Sequence, residues 1–268
     1  MGFLPQRVLL KRVDVMTITD KLSKILEKVG ELPALPSVAS EILHLTEDPG
    51  VDVGDICKTI ERDPALAAKI LKVSNSPYYG MRQYVGTLKL ALVILGVREV
   101  RNIILGISVV ETLRDDRTEA LLGEAFWKHS IHTAALSRKL GSRFKLVMQG
   151  EAFVSGLLHD IGKLAFTRYV RQEYGKVYRL TGGASDLLCR FEQETFGFTH
   201  AELGAALAFQ WNFPQTLIDA ILCHHPSRER FLADAKDPQL AAVVRLANKV
   251  ARANRDTDPA EQTKQLDE

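Results

Sequence analysis

The sequence of 268 residues is poor in cysteine, in net charge and in long apolar runs. Its three cysteines, Cys57, Cys189 and Cys223, form no C-x-x-C pair, which argues against a disulfide framework or a zinc knuckle and predicts reduced thiols. The formal net charge of +2 gives no strong nucleic-acid signal. The longest apolar runs begin at Leu90 and Ile103 and fall short of the roughly 20 residues that cross a bilayer. The N-terminus also lacks the apolar stretch of a secretory signal, so we expect a cytoplasmic protein with no membrane span.

Apolar residues recur with a period near 3.6 along most of the chain, and no alternating strand pattern of useful length is present. One apolar stripe runs from Leu22 to Val29 and ends at Gly30, and the next begins after Ser37, the expected N-cap of a helix. About a dozen helices joined by short turns, without a repeat period, predict an all-α fold, an irregular multi-helix bundle.

Several helix ends can be predicted from single residues. Pro64, Pro214 and Pro238 each suit the first position of a helix, where the missing N–H costs nothing, and Asp63 and Asp237 are available as caps. The three prolines therefore predict three helix starts.

Two further boundaries follow from capping patterns. Thr199 and Glu202 fit a capping box that opens a helix from 200 to about 210. Gly141 is placed to end the preceding long helix, predicted over 119–140.

The composition changes at three points along the chain. Residues 1–18 form an N-terminal extension, and the polar residues 253–268 are expected to be a disordered tail. Between them, 19–252 is expected to form one domain. The charged segment 114–118 divides it into a helical front half, 19–113, and a second half, 119–252.

The stretch GLLHDIGKL places His159, Asp160 and Lys163 inside an otherwise apolar run. If this run is helical, adjacent side chains point about 100° apart and can approach one point only just off the helix surface, where a metal ion could lie. Imidazole and carboxylate together suit Fe, Mn, Ni or Zn, and an ion would offset the cost of burying Asp160. The alternative is that Asp160 only pairs with Lys163 while His159 lies at the edge of the core.

Other histidines of the second half favour a shared site. His129 and His132 lie one turn apart on the predicted helix 119–140, His200 begins a later helix, and His224 and His225 end another. Each could separately be a satisfied core or surface histidine, but their concentration downstream of 118 favours a common site.

The order of these histidines around the His159-Asp160 pair resembles the HD superfamily of metal-dependent phosphohydrolases, and GLLHDIGKL is one of its most recognisable forms. In HSIHTA, the residues after the first histidine resemble the family pattern, which selects His129 over His132. The resemblance implies that one metal is held by His129, His159 and Asp160, and that a second metal or a phosphate is held by His200, His224 and His225.

The family closes its first metal site with an aspartate on a late helix, and here LAAVVRLANKVARA offers Asn248 at the matching place. An amide oxygen can coordinate a metal but carries no charge, so the affinity for a dication should fall. Lys163 is implied as a contact to the phosphate of a bound ligand.

The first half of the chain resembles the HDOD domain, the HD-related output domain of bacterial signalling proteins. The matching motifs are LPxLP at 32–36, DPAL at 63–66, NSxxYG at 75–80 and LGxxxVR at 95–101, and the resemblance covers about 26–252. The Gly-Tyr-Pro stretch of the related cyclic di-GMP phosphodiesterases is absent after His225. Arg98 and Arg101 with Lys89 form either a basic face for a partner or an ordinary solvated helix face.

The HDOD resemblance implies a regulatory module of bacterial signal transduction, in which hydrolysis is not expected and other signalling proteins are partners. An HD-type pocket would then be kept for metal, nucleotide or phosphate binding. The alternative is a metal-dependent phosphohydrolase or phosphodiesterase that acts on a nucleotide or cyclic dinucleotide, with Lys163 or His200 steadying the phosphate oxygens.

Overall fold

The computed structural model describes residues 33–48, 50–146, 149–183, 185–225 and 232–256. Within these ranges the secondary structure is helical and no strand occurs, so the predicted all-α fold is confirmed. In chain order the helices are α1 Ser37–Leu45, α2 Val53–Glu61, α3 Pro64–Ser74, α4 Leu88–Leu95, α5 Val97–Leu113, α6 Asp116–Arg143, α7 Gln149–Leu158, α8 Ile161–Tyr169, α9 Arg171–Thr181, α10 Ser185–Phe196, α11 His200–Gln210, α12 Gln215–Leu222 and α13 Pro238–Asp256.

Three predicted helix starts are confirmed by hydrogen bonds of the capping side chains. Asp63 accepts a bond of 3.0 Å from the backbone N–H of Leu66, and Pro64 is the first residue of α3. Asp237 caps α13 in the same way. The reciprocal capping box of Thr199 and Glu202 opens α11.

Three predicted boundaries are wrong. Ser37 is the first helical residue, because Pro36 occupies the N-cap position, and no side chain of the described ranges caps α1. Pro214 is likewise the N-cap, so α12 begins one position later than expected. Gly141 does not end α6, which continues to Arg143; its missing side chain instead lets α6 approach Ala152, whose Cβ lies 3.4 Å from the position a Cβ would take.

The two predicted halves share one helix. Ile103 and Ile104 of α5 pack into the core formed with α1 to α4, while Val109 and Leu113 of the same helix pack into the second core. Two residues separate α5 from α6, and the second of them, Asp115, caps the start of α6. The front half therefore rests directly on the second half through α5.

The second half surrounds the candidate site. Helix α6 packs against α7 and α13, and α11 packs against α8 and α12. Helix α13 continues to Asp256, beyond position 252 where the ordered domain was expected to end. The predicted extension 1–18, the stripe from Leu22 to Val29 and residues 257–268 lie outside the described residues. Among the helices of the described ranges, none is both long and apolar enough to cross a bilayer.

Candidate metal centre

The His159-Asp160 pair lies in the turn between two helices and not within one, which corrects the expectation from the apolar run. Helix α7 ends at Leu158 and α8 begins at Ile161, with Asp160 at the N-cap position. The turn changes the direction of the chain, so both side chains point into the same buried space. Their relative exposures are 0% for His159 and 1% for Asp160.

Glycines on both sides of the pair allow neighbouring helices to approach it. A Cβ on Gly156 would lie 2.8 Å from the Cα of Ala134 in α6, and one on Gly162 would lie 1.9 Å from the backbone oxygen of His200. Neither position can hold a larger residue without moving a backbone. The glycines of GLLHDIGKL thus bring α7 against α6 and α8 against α11.

The first group of donor atoms converges from α6, the turn and α13. His129 Nε2 lies 3.2 Å from His159 Nε2 and 3.1 Å from Asn248 Oδ1. Asp160 Oδ2 lies 3.2 Å from His159 Nε2 and 3.8 Å from His129 Nε2. The four side chains expected to hold a first metal therefore face one another. His132, one turn along α6, is exposed.

The second group lies on the other side of the same carboxylate. Asp160 Oδ1 is 3.2 Å from His200 Nε2 and 3.4 Å from His224 Nε2. His225 Nε2 is 2.7 Å from His200 Nε2. Asp160 thus stands between the two groups, and Lys163 Nζ donates a hydrogen bond of 2.7 Å to its Oδ2.

Acceptors behind two of the imidazoles fix the orientation of the rings. His159 Nδ1 lies 2.7 Å from the Gly156 carbonyl oxygen, and His224 Nδ1 lies 2.6 Å from that of Ile221. Because a carbonyl can only accept, each Nδ1 carries a proton and each ring directs its Nε2 at the centre. A hydrogen-bonded Nδ1 behind an inward Nε2 is the usual arrangement of a histidine that binds a metal.

One contact at the centre has no proton to share. Asp160 Oδ1 and His224 Nε2 are buried, and neither has a hydrogen-bond partner among the described residues. Buried polar atoms are normally paired, and two acceptors in contact repel one another unless a cation lies between them. Nitrogen and oxygen donors of this kind suit a divalent transition metal. The residues present therefore fit one or two such ions.

The protonation states agree with that fit. Burial lowers the pKa of His129 to about 2 and that of His224 to about 3, so both imidazoles are neutral at pH 7. Burial alone would raise the pKa of Asp160, but the interactions with His159 and Lys163 outweigh it and hold the pKa well below the usual range. Neutral imidazoles such as those of His129 and His224, beside an ionised carboxylate, are the forms that bind metals.

Glu192 is a site residue that the sequence pattern did not indicate. Its Oε2 lies 2.7 Å from His200 Nδ1 and accepts a bond of 2.8 Å from the His200 backbone N–H. Although burial lowers the pKa of His200, Glu192 outweighs it and the net shift is upward. Glu192 lies on the buried stripe of α10 with Leu188 and Phe196, and a carboxylate at such a position was the available signal.

The chain matches the HDOD domain over residues 32–227. It is similar to the crystal structure of a candidate phosphohydrolase from Shewanella amazonensis SB2B, with a TM-score of 0.71 and 27% identity over 91% of this chain and 85% of that one. An HDOD domain protein of unknown function from Geobacter sulfurreducens has the same fold, with a TM-score of 0.71 and 24% identity over 90% of this chain and 80% of that one.

A curated relative is an uncharacterized protein of Treponema pallidum (strain Nichols), 28% identical over 218 residues. The alignment covers 80% of this chain but only 42% of that protein. The chain therefore spans less than half the length of this relative.

Proposed function

Because the chain belongs to the HDOD domain family, we propose that it is a regulatory module of bacterial signal transduction whose HD-type centre binds metal without catalysing hydrolysis. The observation that carries the proposal is the burial of the donor atoms. His129 is 8% exposed, and His159, His200 and His224 are at most 1% exposed. A phosphate ester must reach a metal to be hydrolysed, and this centre offers it almost no surface.

The residues that would hold the ions come from widely separated parts of the chain. His129, His159, Asp160 and Asn248 would bind one ion, and Asp160, His200, His224 and His225 a second. A bound Fe, Mn, Ni or Zn ion supplies positive charge and Lewis acidity at this point. The ligands then connect α6, α11 and α13 to the turn that carries Asp160. Metal binding would thus stabilise one packing of the second half, which is a property suited to regulation.

Asn248 also favours a centre that binds metal over one that catalyses hydrolysis. It faces His129 with an amide oxygen at 3.1 Å, in the place where the family has an aspartate. The site keeps the donor atom and loses one negative charge, which weakens its hold on a dication. A binding centre tolerates that loss better than a catalytic one, which must keep its ion throughout turnover.

Lys163 is the group we assign to an anionic ligand. Its ammonium donates to Asp160 and the residue is 6% exposed, so it balances the carboxylate when no other cation does. Once a metal takes over that balance, Lys163 can turn outward and contact a phosphate or nucleotide at the edge of the centre, where the anion does not reach the ions themselves. Its partners in the cell would be other signalling proteins in the cytoplasm.

A second candidate function is a metal-dependent phosphohydrolase or phosphodiesterase. The specific observation in its favour is the pair of donor groups that share Asp160, together with the similarity to a protein named as a candidate phosphohydrolase. If both groups held an ion, the two ions would supply Lewis acidity to the oxygens of a phosphate ester. Lys163 or His200 would then contact the phosphate oxygens.

Metal analysis of matched variants tests the proposed centre. The protein is purified without immobilised metal, incubated separately with Mn, Fe, Ni and Zn, and desalted before elemental analysis. We expect one or two equivalents in the wild type and in His132→Ala, whose side chain is exposed on the same helix as His129. We expect His159→Ala to lose at least one equivalent. Equal metal content in both variants would contradict the proposal.

A further inference from the structure

A cavity lies between the front half and the second half, away from the donor atoms of the metal centre. Its volume is about 380 Å³, within the usual size of small-molecule sites. It is lined by Tyr79, Arg98, Glu99, Asn102, Arg138 and Glu151, among other residues. Two motifs that the metal centre does not use, NSPYYG and LGVREVR, meet on its wall.

The carboxylates of the cavity wall are already paired. Tyr79 donates a hydrogen bond of 2.8 Å to Glu99 Oε1. Arg101 donates one of 3.1 Å to Glu151 Oε1, and Thr216 donates one of 3.0 Å to Oε2. The Arg101 side chain is only 12% exposed, so it belongs to this internal pair and not to a solvated basic face. Arg101 balances the charge of Glu151, and the Tyr79 phenol fixes the Glu99 carboxylate without cancelling its charge.

Two polar side chains of the cavity wall each have an atom without a hydrogen-bond partner among the described residues. Asn102 is 2% exposed and lines the cavity, and its Oδ1 has no hydrogen-bond partner in the part of the chain that the structure describes. Arg138 stacks on Tyr78, with 4.1 Å from the guanidinium carbon to the ring centroid. The Nη1 of Arg138 is buried and also lacks a partner within the described ranges. An unpaired buried carbonyl oxygen needs a donor and an unpaired guanidinium edge needs an acceptor, and both are costly unless a ligand satisfies them.

We propose that this cavity binds a small molecule that presents an oxyanion, either a phosphate or a carboxylate group, to Arg138 Nη1 and a hydroxyl or amino donor to Asn102 Oδ1. A guanidinium held over an aromatic ring is preorganised, so it binds an oxyanion with little loss of side-chain entropy. A hydroxyl or amino group of the same ligand would donate to the Asn102 carbonyl oxygen, which has no donor among the described residues. The site shares no residue with the proposed metal centre and is independent of it.

Isothermal titration of the full chain with three probes tests the proposal: inorganic phosphate, adenosine monophosphate and citrate. We expect at least one probe to bind with a stoichiometry of one to one. Arg138→Gln should weaken that binding by about tenfold or more, because it removes a charge-assisted hydrogen bond. Lys139→Gln removes the same charge from the neighbouring position and should change the affinity by less than about twofold.

The choice of probe identifies the oxyanion, and two control conditions distinguish this cavity from the metal centre. Binding of phosphate and the nucleotide without citrate assigns a phosphate ligand, and the reverse assigns a carboxylate. All titrations are repeated after chelation and in His159→Ala, where binding at the metal centre would be lost and binding at this cavity should persist. Three probes without saturation, equal losses in Arg138→Gln and Lys139→Gln, or loss on chelation alone would each overturn the proposal. Arg138→Lys keeps the charge without the planar fork, and an intermediate affinity shows that the geometry contributes.

Discussion

Asp160 Oδ1 lies 3.4 Å from His224 Nε2, and both atoms are buried without a hydrogen-bond partner in the described part of the chain. The Nδ1 of the same imidazole donates to the Ile221 carbonyl, which directs the lone pair of Nε2 at the carboxylate. A cation between these two acceptors turns an unfavourable contact into a coordinated one. Removing that cation should therefore have a measurable cost.

Metal removal should destabilise the protein. At a free metal concentration of about 100 times Kd, binding contributes about 2.7 kcal/mol to the free energy of unfolding. For a domain of this size that amounts to about 5 to 10 °C in Tm. The measurement is thermal unfolding with and without chelator, and His159→Ala is the control in which chelator should lower Tm less, because at most the second ion remains to be removed. An unchanged Tm for the wild type would contradict a metal held at this position.

Restoring the carboxylate in Asn248→Asp should tighten metal binding. The substituted oxygen keeps its place 3.1 Å from His129 Nε2 and adds one negative charge to a buried site. We expect the Kd for Mn or Zn to fall by about tenfold, measured by competition with a chromophoric chelator. Asn248→Ala, which removes the oxygen, should raise the Kd. Identical affinities in all three proteins would place Asn248 outside the coordination of the ion.

Glu192→Gln should weaken the second group without removing any of its ligands. Glu192 raises the pKa of His200 and orients its ring, so the amide should lower that pKa and loosen the ring. We expect about tenfold weaker binding of the second ion and a lower His200 pKa by nuclear magnetic resonance titration of the metal-free protein. The matched control is Glu194→Gln, an exposed residue of the same helix that pairs with Arg190. If both variants behave alike, Glu192 does not position His200.

Gly162→Ala should be strongly destabilising. Its Cβ would lie 1.9 Å from the His200 backbone oxygen, so α8 and α11 must separate. We expect a loss of about 2 to 4 kcal/mol in the free energy of unfolding and weaker metal binding, measured by urea denaturation and elemental analysis. Gly175→Ala in α9 is the control, because its nearest contact is the flexible Arg179 side chain at 3.5 Å. That variant should be neutral or more stable by about 0.5 to 1 kcal/mol.

The metal-free protein should lose stability as the pH falls below about 6.5, the unfolded pKa of histidine. The folded pKa values of His129 and His224 are lowered to about 2 and about 3, so the unfolded state binds more protons in this window. Each such histidine reduces the free energy of unfolding by about 1.4 kcal/mol per pH unit. His200, whose pKa is raised, acts in the opposite direction only above about 6.5, because below that pH it is protonated in both the folded and the unfolded state.

Urea denaturation in chelator at pH 7, 6 and 5 measures this slope. Above about pH 6.5 these histidines do not reduce the free energy of unfolding, and below it they reduce it progressively. A stability that rises between pH 7 and pH 5 would show that the imidazoles are not buried in their neutral form.

Local hydrogen bonds explain which parts of the fold could be predicted. The cap of Asp63 and its donor Leu66 are three residues apart, so a short sequence window contains the whole interaction. The same holds for Thr199 and Glu202. In contrast, Gly141 resembles a C-terminal glycine, but α6 continues past it and packs there against Ala152 of α7, a contact that no short sequence window contains.

Some features of the candidate site could likewise be predicted from the sequence, and others could not. The spacing of the histidines indicated a common site, but the turn at His159-Asp160 was not predicted, because the apolar run continues without a proline on either side. Glu192 contacts His200 from eight residues away, across the connection between α10 and α11. A contact between two helices depends on their packing, which no local pattern records.

Hydrolysis by the metal-saturated protein tests the central claim most directly. The wild type is saturated with Mn, Fe, Ni or Zn in separate samples and incubated with nucleotides, cyclic dinucleotides and a generic phosphodiester, with His159→Ala as the reference for contaminating activity. The account predicts bound metal in the wild type and no turnover above that reference for any substrate. Turnover that rises with metal occupancy and is absent from His159→Ala would contradict a binding centre and establish the hydrolase.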